Sequence, residues 1–153
     1  MTYASRTKVD VNSSQAEIER ILDRYGATAY AYTKSNDRVL VMFEMKNRRI
    51  RFLLTLPSRK EFEKTDTGKS RTSQNAIDEA HQQAIRARWR SLTLVIKAKL
   101  DSVATGIEEF EEAFMGQIVL PDGQSVKDWM KPQIKLAYET NTMPSMLLLG
   151  DGK

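Results

Sequence analysis

From about Ser73 to about Gln117 the apolar residues recur at helical spacing without losing phase, and a stripe of that length has to be covered by something. Ile85, Trp89, Leu92, Ile96, Leu100, Val103, Ile107, Phe110 and Phe114 share one side of such a helix, with Arg86, Arg90 and Lys97 along a flank. Gly106 and Gly116 are its weak points, so the pattern reads as one long helix or two collinear ones. The stripe is wide for a monomer whose cover is one small sheet, which makes a homodimer through this helix one expected assembly.

The cover is encoded upstream. Ser14 followed by Glu17 has capping-box spacing, Ile18, Ile21, Leu22 and Tyr25 continue at helical intervals, and Gly26 supplies a stop. Three segments rich in β-branched and aromatic residues follow, at Thr28 to Thr33, Arg38 to Met45 and Arg48 to Leu56. They predict a meander of two hairpins. A tight Lys46-Asn47 turn sets Glu44 opposite Arg49, Phe43 opposite Ile50 and Val41 opposite Phe52, matching charge with charge and apolar with apolar. Closing the first hairpin with Lys34 to Asp37 puts Tyr30 and Tyr32 on the face of Val39, Val41, Phe52 and Leu54. That makes them core residues and argues against a platform for stacking nucleobases.

Beyond the strands, residues 58–73 have the composition of a flexible basic loop, with Phe62 their only large apolar residue. Ile118 to Gly123 reads as a short extended piece entering a turn. Ser125 and Asp128 open a last helical region, bent or restarted near Pro132 and ending around Thr140. The tail at 143–149 is apolar and is expected to dock on the core or on a partner. The whole is one α+β domain over residues 1–153: an N-terminal helix, a three-stranded antiparallel meander, a long amphipathic helix and short C-terminal helices.

The net charge of +4 is unevenly spread. Residues 46–71 carry nine basic residues against three acidic, whereas residues 101–153 carry four against nine. Either the acidic end packs near the basic middle, or the middle presents a surface for polyanions. Zero cysteines exclude disulfides, thiolate metal sites and a cysteine nucleophile. With no run of about 18 apolar residues and no apolar core of a secretory signal before Asn12, the expectation is a cytoplasmic protein without a membrane partner.

Signs of catalysis are weak. Thr67-Gly68-Lys69-Ser70 resembles the end of a phosphate-binding loop, but Glu63 stands where the first glycine belongs. Glu108, Glu109, Glu111 and Glu112 spread around a helix instead of converging on a metal, and His81, the only histidine, sits on a polar stretch and reads as a surface residue. No cofactor is expected. The richest constellation is basic: Arg48, Arg49 and Arg51 on a strand, Arg59, Lys60, Lys64, Lys69 and Arg71 on the loop, and Arg86, Arg90 and Lys97 on the helix. If the helix lies across the sheet, these join into one continuous surface for backbone phosphates.

Ile118-Val119-Leu120-Pro121-Asp122-Gly123, with Trp129, Pro132, Ile134 and Ala137-Tyr138 downstream, resembles a family of small uncharacterised bacteriophage and prophage proteins. The likeness extends over Tyr3-Ala4, Ala16 to Glu19, Tyr25 to Ala27, Arg48 to Leu54 and Arg88 to Arg90. It implies a phage origin, in the cytoplasm of a bacterial host, and transfers no functional residue. The element order also resembles double-stranded-RNA-binding domains, but Asp78, Glu79 and His81 stand where their second helix begins with basic residues. The expected function is non-enzymatic nucleic-acid binding, DNA more than RNA, in phage replication, recombination or regulation. The alternative is a module that inhibits or redirects a host protein, with Trp129, Met143, Met146 and Leu147 as apolar anchors.

Overall fold

The computed structural model describes residues 2–143. Its first helix, α1 (Val11–Tyr25), starts earlier than the capping box at Ser14 implied. Asp10 is the cap, its carboxylate accepting the Ser13 N–H at 2.7 Å, and Ser14 falls inside the helix on the buried stripe with Ile18, Ile21 and Leu22. At the far end the Gly26 N–H bonds the Asp23 carbonyl and the Ala27 N–H reaches the Leu22 carbonyl, with Gly26 at φ 85°. That pair of bonds ends a helix in a left-handed residue, which glycine adopts without a Cβ clash.

Strands β1 (Ala29–Ser35), β2 (Arg38–Met45) and β3 (Arg48–Thr55) form an antiparallel sheet in sequence order. Lys46 and Asn47 both take positive φ, the geometry whose twist suits a two-residue hairpin, and the register pairs Glu44 with Arg49, Phe43 with Ile50 and Val41 with Phe52 as the side-chain matching predicts. The first hairpin is tighter than expected. Ser35 pairs with Arg38 across Asn36-Asp37, a shift of two residues that leaves every side chain on the same face. Tyr30 and Tyr32 therefore remain on the inner face, Tyr30 half-buried and Tyr32 at its rim, edge-on to Trp89.

That inner face, with Val39, Val41, Phe43, Met45, Ile50, Phe52 and Leu54, is packed by α1, α2 (Gln74–Ala104) and α3 (Phe110–Phe114) into one core. Phe114 has no exposed surface and meets Phe43, Phe52 and Phe110 at ring centroid distances of 5.7, 6.4 and 5.0 Å. Trp89, Leu92, Ile96 and Leu100 of α2 are buried in the same core, so the centre of the wide stripe is covered within one chain.

The long helix does not continue to Gln117, either straight or as a collinear pair. Gly106 at φ 76° donates to the Val103 carbonyl and Ile107 to the Ser102 carbonyl, which ends α2 as Gly26 ends α1. Ile107 is thrown out to 78% exposure, whereas Phe110 and Phe114 turn back into the core on α3. The acidic residues hold this reversal. Glu108 accepts from the Ser102 hydroxyl at 2.7 Å, Glu112 accepts the Glu109 N–H at 2.8 Å, and Lys99 donates to the Ala113 carbonyl.

After a 3₁₀ turn at Met115–Gln117, Ile118 bridges Ile50 and the Val119 N–H bonds the Arg49 carbonyl at 2.8 Å, closing part of the β3 edge. A turn with Gly123 at φ 89° leads to Ser125, whose hydroxyl caps α4 (Val126–Thr140). Pro132 lies within α4, and no residue of that helix is fully buried. The loop before α2 is more organised than its composition suggests. Arg71 donates to the Phe62 and Lys64 carbonyls at 2.8 and 2.6 Å, Arg59 reaches Asp78 and Gln74, and His81 is partly buried with Nε2 2.9 Å from the Pro57 carbonyl. His81 is thus a tether for the loop, where the sequence suggested a plain surface residue. No described helix is long and apolar enough to cross a membrane.

Candidate nucleic-acid interface

Alternation along the strands divides the basic residues between two sides of the sheet. Arg49 and Arg51 project from the outer face with Arg38, Leu40, Met42 and Leu53, while α1 and α2 lie against the inner face. Arg86 and Arg90 on α2 are therefore separated from Arg49 and Arg51 by the sheet itself. The helix does lie on the sheet, but on the face opposite Arg49 and Arg51, so the single continuous basic surface expected from the sequence does not form.

Several of the eleven basic residues are engaged internally. Arg48 pairs with Glu111 at 2.6 Å, Arg49 with its cross-strand neighbour Glu44 at 3.3 Å, and Arg59 with Asp78 at 2.6 Å. Arg90 binds Glu17 of α1 at 2.5 Å where both side chains are largely covered, and so joins two helices. Arg86 is held by Gln83, and Arg71 by loop carbonyls. Lys60, Lys64, Lys69 and Lys97 are exposed, and among the described residues they form no ion pair. Arg48–Glu111 gives partial substance to packing of the acidic end against the basic middle, though an exposed pair of this kind contributes little to stability.

Two of the clefts that adjoin the sheet carry several cations. One, of about 930 Å³, lies where the β2–β3 turn meets the 118–123 segment and contains Lys46, Arg48 and Arg49, but two of these cations already face Glu111 and Glu44. The other, a groove of about 440 Å³, runs between the outer face and the root of α4. Arg38, Arg51, Lys127 and Lys131 line it around a single carboxylate, Asp128, with the Thr33 and Ser35 side chains at one rim and Leu40 and Leu53 in the floor. None of these four cations is in an ion pair among the described residues.

The root of α4 is placed by local chemistry. The Ser125 hydroxyl accepts the Asp128 N–H and donates to the Asp128 carboxylate at 2.6 Å, fixing the first turn and turning the side of Lys127 and Lys131 toward β3. That hydrogen bond, with the charges of Lys127, Lys131 and Arg51, holds Asp128 below the usual carboxylate range. The groove keeps a net positive charge with Asp128 ionised.

Comparison with protein-family models, curated proteins and solved structures gives no match. Roles must be read from this chain alone.

Of the residues singled out from sequence, Arg51 lines this groove and Arg49 shares its sheet face. Arg38, Lys127 and Lys131 were missed. The two lysines sit in the most acidic stretch of the chain, and only their i, i+4 spacing beside Asp128 signalled a shared side. Trp129 is 51% exposed, on the side of α4 away from Lys127. Met143 is exposed at the end of the described residues, whereas Met146 and Leu147 lie outside them.

Proposed function

We propose that the chain is a non-enzymatic nucleic-acid-binding protein that holds backbone phosphates in the groove between the outer sheet face and α4. The observation that supports this reading is the convergence of Arg38, Arg51, Lys127 and Lys131 on one side of the molecule around one carboxylate. Cations gathered at that density without internal partners favour a polyanion, because each neutralised phosphate releases condensed counterion. Contacts from lysine and arginine to backbone phosphates carry no sequence information, so binding through them has little sequence preference. The outer sheet face, with Arg49 and Leu53 exposed, suits a DNA duplex or strand lying across it. In keeping with the phage resemblance read from the sequence, the proposed activity serves replication, recombination or regulation of phage DNA in the bacterial cytoplasm.

The test is anisotropy of labelled single- and double-stranded DNA and RNA over a salt series. The parent binds DNA with affinity falling steeply as salt rises, and each of Arg51→Glu, Lys127→Glu and Lys131→Glu flattens the slope of log affinity against log salt by about 1. Variants that bind like the parent at every salt concentration overturn the assignment.

A second reading has its own observation. Trp129 and Leu136 share a side of α4 and are about half exposed, which suits an apolar patch of a host protein or of another copy of the chain. Trp129→Ala that abolishes capture of one stoichiometric host protein, with DNA binding intact, favours this reading.

A further inference from the structure

A second basic groove, of about 520 Å³, lies on the helix layer, on the other side of the sheet. It is lined by Ser5, Arg6, Thr7, Lys8, Asp10, Gln83 and Arg86, where the segment before α1 runs alongside α2. Gln83 of α2 ties the segment to the helix, and Ala4 within it is buried. Gln83 Nε2 donates to the Ser5 and Thr7 carbonyls at 3.1 and 2.8 Å, which uses both amide hydrogens. Gln83 Oε1 in turn accepts from Arg86 Nε and Nη2 at 3.2 and 2.5 Å. The amide therefore orients the guanidinium and leaves Arg86 Nη1 uncommitted. Arg6 and Lys8 are exposed and in no ion pair among the described residues. The one carboxylate present, Asp10, is occupied by the Ser13 N–H as the α1 cap, which also lowers its pKa.

We infer that this groove is a second phosphate-backbone site and that the protein bridges two nucleic-acid segments, one on each side of the sheet. The inference rests on the nucleic-acid reading of the α4 groove and adds a function to it. A straight duplex lying on the outer face cannot also reach Arg6, Lys8 and Arg86, because the sheet and the helix layer stand between them. Two sites facing apart bring separate strands or duplexes together, which serves annealing, pairing or compaction.

The experiment immobilises one duplex, adds a second, labelled duplex of the same length, and measures its capture as the full chain is titrated in. The parent captures the labelled duplex, with a maximum at intermediate protein concentration, since excess protein saturates each duplex separately. Arg6→Glu/Lys8→Glu, whose side chains make no ion pair or hydrogen bond within the described fold, keeps anisotropy binding to a single duplex and lowers capture by on the order of tenfold. Arg51→Glu/Lys127→Glu also lowers capture, because bridging needs both grooves, and keeps only the single-duplex binding that the N-terminal groove supplies. A parent that binds DNA without capturing a second duplex overturns the bridging inference and leaves the groove at α4 standing. Capture undiminished in Arg6→Glu/Lys8→Glu also overturns it, and assigns bridging to self-association. A parent that binds no DNA removes both readings, and retention of an acidic protein by the N-terminal groove then identifies that site as a protein contact.

Discussion

At the scale of single residues two side-chain polar atoms are buried without a partner among the described residues, the Ser14 hydroxyl and the Tyr30 phenol oxygen. An unpaired buried hydroxyl destabilises the fold by its lost hydration, so Tyr30→Phe leaves stability unchanged or raises it, as read by thermal unfolding at neutral pH. Burial, with Tyr32 and Glu19 nearby, also pushes the Tyr30 phenol from 10.0 up to about 12. The folded state holds the neutral phenol, and the unfolded chain loses the proton near the ordinary value. The contribution is therefore complete below pH 10 and is lost as pH rises through about 12. Tyrosine absorbance during an alkaline titration shows a late-ionising phenol that Tyr30→Phe removes. The same scale explains why arginines cannot be sorted by sequence alone. Arg90 and Arg51 both follow the spacing of their element, yet Arg90 finds Glu17 on α1 whereas Arg51 finds two lysines and a groove.

At the scale of elements, the reversal after α2 decides how the second half of the chain packs. Gly106 occupies a left-handed position with nothing within 4 Å of where a Cβ would sit, so Gly106→Ala introduces backbone strain alone. The expected loss is about 1–2 kcal/mol, measured by urea unfolding. What the reversal delivers to the core is Phe114, on a helix of five residues that could not persist by itself. Phe114→Ala removes the ring that joins β2, β3 and α3 and costs about 3–5 kcal/mol in the same assay. At this scale the sequence was legible in its periods: α1, the three strands and the β2–β3 register all follow from alternation and turn chemistry. Phase did not reveal the break at Gly106, because α3 returns its aromatics to the same core by another route and so continues the helical spacing across a turn.

At the scale of the whole molecule, charge is divided by the sheet, and this sets how binding responds to substitution. Outer-face reversals at Arg51, Lys127 and Lys131 and helix-layer reversals at Arg6 and Lys8 act on different grooves. Combining one from each side lowers capture of a second duplex by effects that add in its logarithm, checked by a double-mutant cycle at fixed salt. Arg90→Glu behaves differently. It sets a carboxylate against Glu17 between α1 and α2, so its first effect is a lowered unfolding midpoint, with any change in binding following from that. The amino-acid sequence by itself determined the helix–sheet–helix order, the faces of the strands, the register of the β2–β3 hairpin and the excess of cations in the middle of the chain. These depend on neighbours a few residues apart or on composition. Only the tertiary structure decided which cations are neutralised, which side of the sheet each faces, and that Lys127 and Lys131 from the acidic end join Arg38 and Arg51. Those outcomes depend on contacts between residues far apart in the chain, set by how the helices pack on one face and leave the other open.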